Sequence, residues 1–218
     1  MTRKNVHIVG TGTIGEPLIG LLCDYRDQLG IDDITFHKNT PLLSDKSKVI
    51  DLISRGARLA VDDMKKDSFK EMGMEAEFET EEAIKRSAVV IDCTPKGIGH
   101  QNKEKYYSKF KESVSGFLAQ GSENGFGKKY AYGINDQALQ EEDQFIQIVS
   151  CNTHNLSSIV QTIALDEGSD NLIEGRFNLI RRSNDVSQTT KYVPAPQVGT
   201  HRDKDYGTHH ARDAVHLF

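Results

Sequence analysis

Six residues near the start of the chain constrain its fold more than any others. Gly10-Thr11-Gly12-Thr13-Ile14-Gly15 follows an apolar run, Asn5 to Val9, and opens a run with helical periodicity. A strand, a glycine turn and a helix in that order form the first unit of a dinucleotide-binding βαβ fold. In that unit Gly10 permits the tight turn and Gly12 lets the backbone approach a pyrophosphate. Gly15 allows close helix–strand contact, and the helix N-terminus offers its unpaired N–H groups to the phosphates.

The pattern downstream extends the unit. The first helix carries Leu18, Leu22 and Tyr25 on one stripe and stops at Gly30. Asp33–Phe36 reads as a strand and His37-Lys38-Asn39-Thr40-Pro41 as a turn. A helix follows near Asp45–Ser54, then a strand at Arg58–Val61 and a helix at Met64–Met72. Ser87–Cys93 is the clearest buried strand, Gln101–Glu112 a polar helix, and Gly116–Ala119 extended again. Strands alternating with helices predict an α/β fold, a Rossmann-like doubly wound parallel sheet. The texture changes after Val149, with a helix over Asn155–Leu165 and a long strand over Leu172–Arg182, alternating at Ile173, Phe177 and Leu179. From Ser183 the chain is polar and carries no clear element before its last turn. The boundary therefore falls near Val149, with a nucleotide-binding domain over 1–149 and the first part of an α+β catalytic domain over 150–218.

Composition narrows the function classes. A net charge of −5 gives no footing for nucleic acid or an acidic membrane as the main partner. No apolar run is long enough to span a bilayer, and Met1-Thr2-Arg3-Lys4 leads directly into a strand rather than a signal sequence. Three cysteines without framework spacing indicate a reducing, cytoplasmic setting.

Two of those cysteines, Cys23 within a helix and Cys93 at a strand end, read as core. The third, Cys151, lies between the apolar run Phe145–Val149 and the following helical run. A thiol at a helix start meets the positive end of the dipole, which favours thiolate, the form that attacks carbonyl carbon. The end of the second strand carries Lys38 and no carboxylate, and the nearest acids, Asp32 and Asp33, precede the strand. That leans toward NADP, with NAD open. Half of the eight histidines fall in the last 18 residues, but adjacent His209-His210 is not a zinc spacing and no metal is expected.

Six blocks occur in order: Gly12-Thr13-Ile14-Gly15, Asp92 to Gly99 (DCTPKGIG), Ala119 to Glu123 (AQGSE), Ser150-Cys151-Asn152-Thr153, Arg181-Arg182, and Thr208 to Asp213 (THHARD). Together they resemble the archaeal-type (type II) glyceraldehyde-3-phosphate dehydrogenases. The resemblance implies a phosphorylating dehydrogenase of central carbon metabolism, serving glycolysis or gluconeogenesis. It implies NADP or NAD as cofactor, glyceraldehyde 3-phosphate and inorganic phosphate as substrates, and a homotetramer. It also implies Cys151 as nucleophile and Thr13 and Ile14 at the pyrophosphate. Thr94, Pro95 and Gly121 would lie along the cofactor cleft and Arg181 in the cofactor or phosphate region. Ser150, Asn152, His209 and His210 would hold the substrate. Members of the family continue past the position matching Phe218, and their base histidine comes from that later part. No residue here matches it, so the expectation is a partial copy of a longer enzyme, with a shortened member or a binding-only relative as alternatives. His154, three residues after Cys151, is the local candidate for a base. A semialdehyde or acyl-phosphate reductase shares the same logic, and a non-catalytic nucleotide-binding protein is the rival from another class.

Overall fold

The structure, a computed structural model, describes residues 4–165, 172–180 and 202–218. Eight strands form one sheet: β1 (Asn5–Val9), β2 (Asp33–His37), β3 (Arg58–Val61), β4 (Phe78–Glu79), β5 (Val89–Asp92), β6 (Gly116–Ala119), β7 (Lys128–Tyr130) and β8 (Phe145–Ile148). Their order is β4-β3-β2-β1-β5-β6-β8-β7, and every pairing is parallel. The chain winds outward from β1 in one direction through β2 and β3. It then returns to β5, on β1's other side, and winds away through β6 and β8. The order reverses between β1 and β5, and because all strands run the same way, all their C-terminal ends lie on one edge. In open sheets of this kind the crevice at that reversal is where ligands sit.

The helices cover both faces. They are α1 (Gly15–Asp24), α2 (Arg26–Leu29), α3 (Lys46–Ser54), α4 (Lys66–Glu71), α5 (Thr80–Lys85), α6 (Ile98–Lys105), α7 (Cys151–Val160) and α8 (His209–Val215). Successive strand residues face opposite sides, so Ile8 and Val9 enter different cores. Ile8 packs with Ile34, Phe36 and Leu59 of the sheet, Ile19 of α1, Val49 and Leu52 of α3 and Phe69 of α4. Val9 packs with Val90 and Phe117 of the sheet, Ile84 of α5, and Tyr107 and Phe126. Full burial of side chains such as Ile8 and Phe36 contributes about 1.5–3 kcal/mol each. The near-continuous apolar strands are what a parallel sheet covered on both faces requires.

Some expectations change. The helix expected from Gln101 to Glu112 starts at Ile98 and ends at Lys105, followed by a 3-10 turn over Tyr107–Phe110. Strand β7 (Lys128-Lys129-Tyr130) gave no apolar signal, because an edge strand tolerates and uses lysines. The helix expected from Asn155 begins four residues earlier, at Cys151, and its last turn, Gln161–Leu165, is π-helical. Residues 172–180, expected in a long strand, are irregular, with Ile173 at 98% and Ile180 at 96% exposure. Alternation alone does not make a strand without an edge to pair with, and among the described residues none pairs with this segment. Arg181 and Arg182 lie outside the described residues.

The last described segment folds back. Helix α8 is capped by Thr208, whose hydroxyl accepts from the Ala211 N–H, and it packs on α7. Leu217 joins Ala131 and Val149 in a small third core. Buried Asp213 receives Lys129 Nζ at 2.8 Å and Arg212 Nε at 3.2 Å on the same oxygen.

Candidate active site at the C-terminal edge of the sheet

The glycine turn has the geometry its sequence calls for. Gly10 adopts φ +99°, open to glycine and strained for other residues, and its N–H donates to the His37 carbonyl at 3.2 Å. A Cβ on Gly15 would fall 2.0 Å from the Gly10 carbonyl oxygen, so only glycine lets α1 start so close to β1. A Cβ on Gly12 would meet nothing within 4 Å. Gly12, Thr13 and Ile14 are exposed. No side chain of the N-cap residue, Ile14, bonds back to α1, so the helix presents backbone N–H groups at its dipole's positive end.

The end of β2 is arranged differently from the expectation of a cation open to a ligand. Lys38 is buried, and its Nζ lies 2.5 Å from Asp45 Oδ2. That ammonium holds the Asp45 carboxyl below its ordinary range. Lys48, from α3, reaches the glycine turn itself: its Nζ is 3.4 Å from the Thr11 carbonyl and 3.0 Å from Glu16 Oε2. Lys48 and Asp45 are residues that sequence reading missed. Both sit beyond Pro41 in a stretch with no motif, and only the fold returns them to the turn.

The turns after β5 and β6 are locked together. Buried Asp92 accepts from the Thr94 backbone and hydroxyl, from Asn102 Nδ2 at 2.9 Å and from Tyr107 OH at 2.6 Å. Thr94 is thereby fixed, and its carbonyl accepts from Gln120 Nε2 at 2.8 Å. Glu123, fully buried, accepts the N–H groups of Gly97 and His100 (3.0 Å for His100) and so caps α6 from another loop. Gly99 makes room for it, since a Cβ there would stand 2.9 Å from Glu123 Cγ. The third block thus completes the second. Gly121 serves a packing purpose: its missing Cβ would fall 2.4 Å from the Ser150 nitrogen. It lets the β6 turn lie against the backbone that leads to Cys151. Cys93 is buried beneath these turns, and burial first, then neighbouring Asp92, pushes its thiol up to about 12. It is inert core, and Cys23, raised by partial burial, packs against the first core.

Cys151 is the first residue of α7 and is exposed. Ser150 is the N-cap, its hydroxyl accepting from the Thr153 N–H at 3.2 Å. The same hydroxyl is 3.1 Å from His210 Nδ1, which also lies 3.3 Å from Thr153 Oγ1. His209 is tilted against His210, with ring centroids 3.8 Å apart. Residues 60 positions apart in sequence therefore meet at the thiol's helix turn. Asn152 is half-buried beside them. His154 Nε2 donates to the Tyr132 carbonyl at 3.0 Å, which leaves Nδ1 as the basic nitrogen of the neutral ring. All three cysteines are free thiols. Among the described residues, no three His, Cys, Asp or Glu side chains converge as a metal site, and no helix is long and apolar enough to cross a membrane.

The strand order decides what these parts can do together. The glycine turn follows β1 and Cys151 follows β8, three positions along the sheet. At about 4.8 Å per strand this is a lateral span of roughly 14 Å, on one edge. A dinucleotide with its pyrophosphate on α1 would extend one half over β2 and the other over β5 and β6, toward the thiol. Of the helix starts that follow β1, β5 and β8, α6 is closed by Glu123 and α7 is capped by Ser150. The α1 start has neither kind of cap.

The chain is similar to archaeal enzymes. It is 28% identical over 214 residues to the glyceraldehyde-3-phosphate dehydrogenase of Pyrobaculum arsenaticum, covering 93% of this chain and 58% of that protein. It is 30% identical over 217 residues to that of Methanobrevibacter smithii, covering 94% and 59%. The chain thus spans under two thirds of the length of the curated relatives it matches. These relatives bear out the resemblance carried by the six blocks. No family model matches the chain. Among solved structures, glucose dehydrogenase from Haloferax mediterranei overlaps 74% of this chain with a TM-score of 0.37 and 10% identity.

Proposed function

We propose that this chain carries the cofactor site and the nucleophile of an NAD(P)-dependent, phosphorylating oxidation of D-glyceraldehyde 3-phosphate to 1,3-bisphosphoglycerate. One observation carries the reading: an exposed cysteine opens α7 on the same sheet edge as an uncapped glycine turn. It lies on the side toward which the second half of a dinucleotide would extend. The archaeal relatives supply the substrate class.

In this reading Gly10, Gly12 and Gly15 shape the turn, and the N–H groups after Thr13 and Ile14 take the pyrophosphate. Thr94, Pro95 and Gly121 border the path to the thiol, and Arg181 is assigned to the cofactor by resemblance alone. Cys151 thiolate attacks the aldehyde carbon, and the carbonyl oxygen takes up a proton to give a thiohemiacetal. A nicotinamide bound in this crevice would supply the hydride acceptor for that carbon. Loss of the hydroxyl proton leaves a thioester on Cys151. Inorganic phosphate then attacks the thioester carbonyl, releasing the acyl phosphate and restoring the thiolate. His154, one helical turn after Cys151, is the candidate to take the proton. Ser150, Asn152, His209 and His210 hold the substrate around the first turn of α7. The division near Val149 belongs to this proposal: residues 1–149 bind nucleotide and 150–218 begin the substrate-handling part. So do the homotetramer implied by the resemblance and the reducing, cytoplasmic setting indicated by the cysteine pattern.

The test is nicotinamide reduction by the purified chain with glyceraldehyde 3-phosphate, phosphate and either NAD or NADP. Turnover that disappears in Cys151→Ser supports the reading. Omitting phosphate should leave at most one equivalent of reduced cofactor per chain, held as thioester. Multiple turnovers without phosphate would sink the phosphorylating step.

A further inference from the structure

We propose that Asp45 sets the choice between the two nicotinamide dinucleotides, by holding Lys38 and disfavouring a 2′-phosphate at the end of β2. The inference rests on the reading of the glycine turn as the dinucleotide site. Dinucleotide sites that select the unphosphorylated ribose place a carboxylate at the end of the second strand. The strand itself ends here in His37-Lys38-Asn39-Thr40, without one. The carboxylate arrives instead from Asp45, the N-cap residue of α3.

Its position is fixed from two sides. One oxygen lies 2.5 Å from Lys38 Nζ and the other 3.9 Å from Lys48 Nζ. Lys48 in turn touches the Thr11 carbonyl within the glycine turn and Glu16 in the first turn of α1. Lys38 follows directly on His37, whose carbonyl receives the Gly10 N–H. Asp45 is therefore one ammonium away from the glycine turn by either path. The two lysines meet two carboxylates, Asp45 and Glu16, so this corner has no surplus of positive charge for a phosphate. The next cation along, Lys65, is engaged with Asn39 at 2.6 Å and lies 3.6 Å from Asp62. Lys38 is buried, so a 2′-phosphate could reach its ammonium only by displacing Asp45. A dianion brought beside that carboxylate meets repulsion in a partly shielded site. A ribose 2′-hydroxyl would instead find an acceptor.

The experiment is a titration of NAD and of NADP into the wild-type chain and into Asp45→Asn, read by intrinsic fluorescence or calorimetry. Asp45 makes no side-chain capping bond to α3 and Asp45→Asn keeps an oxygen for the Lys38 ammonium, so the variant should fold, and Asp45→Ser serves as a second variant of smaller side chain. The expected result is wild type binding NAD at least tenfold more tightly than NADP. Asp45→Asn should bind NADP about tenfold more tightly than wild type, with NAD within about threefold. Wild type preferring NADP overturns the proposal. So does a substitution that changes both affinities equally or neither, and in those cases the dinucleotide reading stands because both cofactors bind. Failure of wild type to bind either nucleotide overturns that reading and this proposal together.

Discussion

The start of α1 and the start of α7 lie on the same edge of one sheet, yet they are built on opposite principles. At α1 the chain removes side chains: Gly10, Gly12 and Gly15 leave backbone N–H groups as the surface, and the N-cap residue makes no capping bond. At α7 the chain supplies them: Ser150 caps, Thr153 and His210 brace the cap, and Cys151 projects from the first turn. A diffuse anion is held well by a bare helix end, because dipole and N–H groups then act together. A nucleophile needs one atom in one place, so its helix end is capped and packed. In the proposed function, two helix starts from similar backbone serve binding and attack.

Removing the attacking atom separates the two ends most sharply. Cys151→Ser should lower turnover by on the order of a thousandfold or more while cofactor affinity stays within about twofold. Loss of cofactor binding in that variant would mean that the two ends are not independent. The next pair acts on α1 alone. Gly15→Ala forces a Cβ into the Gly10 carbonyl, and unfolding in urea should show a loss of about 2–4 kcal/mol. Gly12→Ala meets open space. Its stability should change by no more than about 0.5 kcal/mol, while dinucleotide affinity falls about tenfold or more. If affinity is unchanged, the pyrophosphate does not come to Gly12.

A smaller effect is expected at α7. Ser150→Ala removes the N-cap and should cost about 1 kcal/mol by thermal unfolding, with Cys151 alkylating more slowly once the turn frays. Equal alkylation rates would show that the cap does not tune the thiol. The last test concerns pH and the sheet beneath α1, with a small effect at each step of pH. His7 is fully buried, 2.8 Å from Thr35 Oγ1, and burial first, then the nearby His37 and Arg86 charges, lower its pKa to about 3. Between pH 6.5 and 3 the unfolded chain binds a proton there that the folded chain does not. Stability should therefore fall as pH drops through that window, by at most about 1.4 kcal/mol per pH unit. His7→Asn should flatten the slope in urea midpoints taken across it.

Much of the α1 end was legible in the chain. Glycine spacing after an apolar run specifies a strand, turn and helix because local sterics enforce each step. Cys151 was also legible, although the helix was expected four residues too late: Asn152 and Thr153 have weak helix propensity, and Ser150 was not read as the cap. Lys38 shows where such reading stops. As a residue type in a turn it looked like a cation offered to a ligand, and Asp45, seven positions on, binds it. The failed strand at 172–180 has the same origin, since pairing is not a property of the segment that carries the alternation.

Reading along the chain reaches the parallel α/β class, the turn after β1, the thiol after β8, and the blocks that resemble the archaeal-type dehydrogenases. These depend on neighbours close along the chain, where φ preferences, periodicity and capping act. That Glu123 closes α6, His210 reaches Ser150, Gly121 yields to Ser150 and Asp45 holds Lys38 is visible only once the chain is folded. Those contacts join residues separated by loops and whole elements, and what makes them is the packing of parallel strands, which brings the turns at their C-terminal ends together.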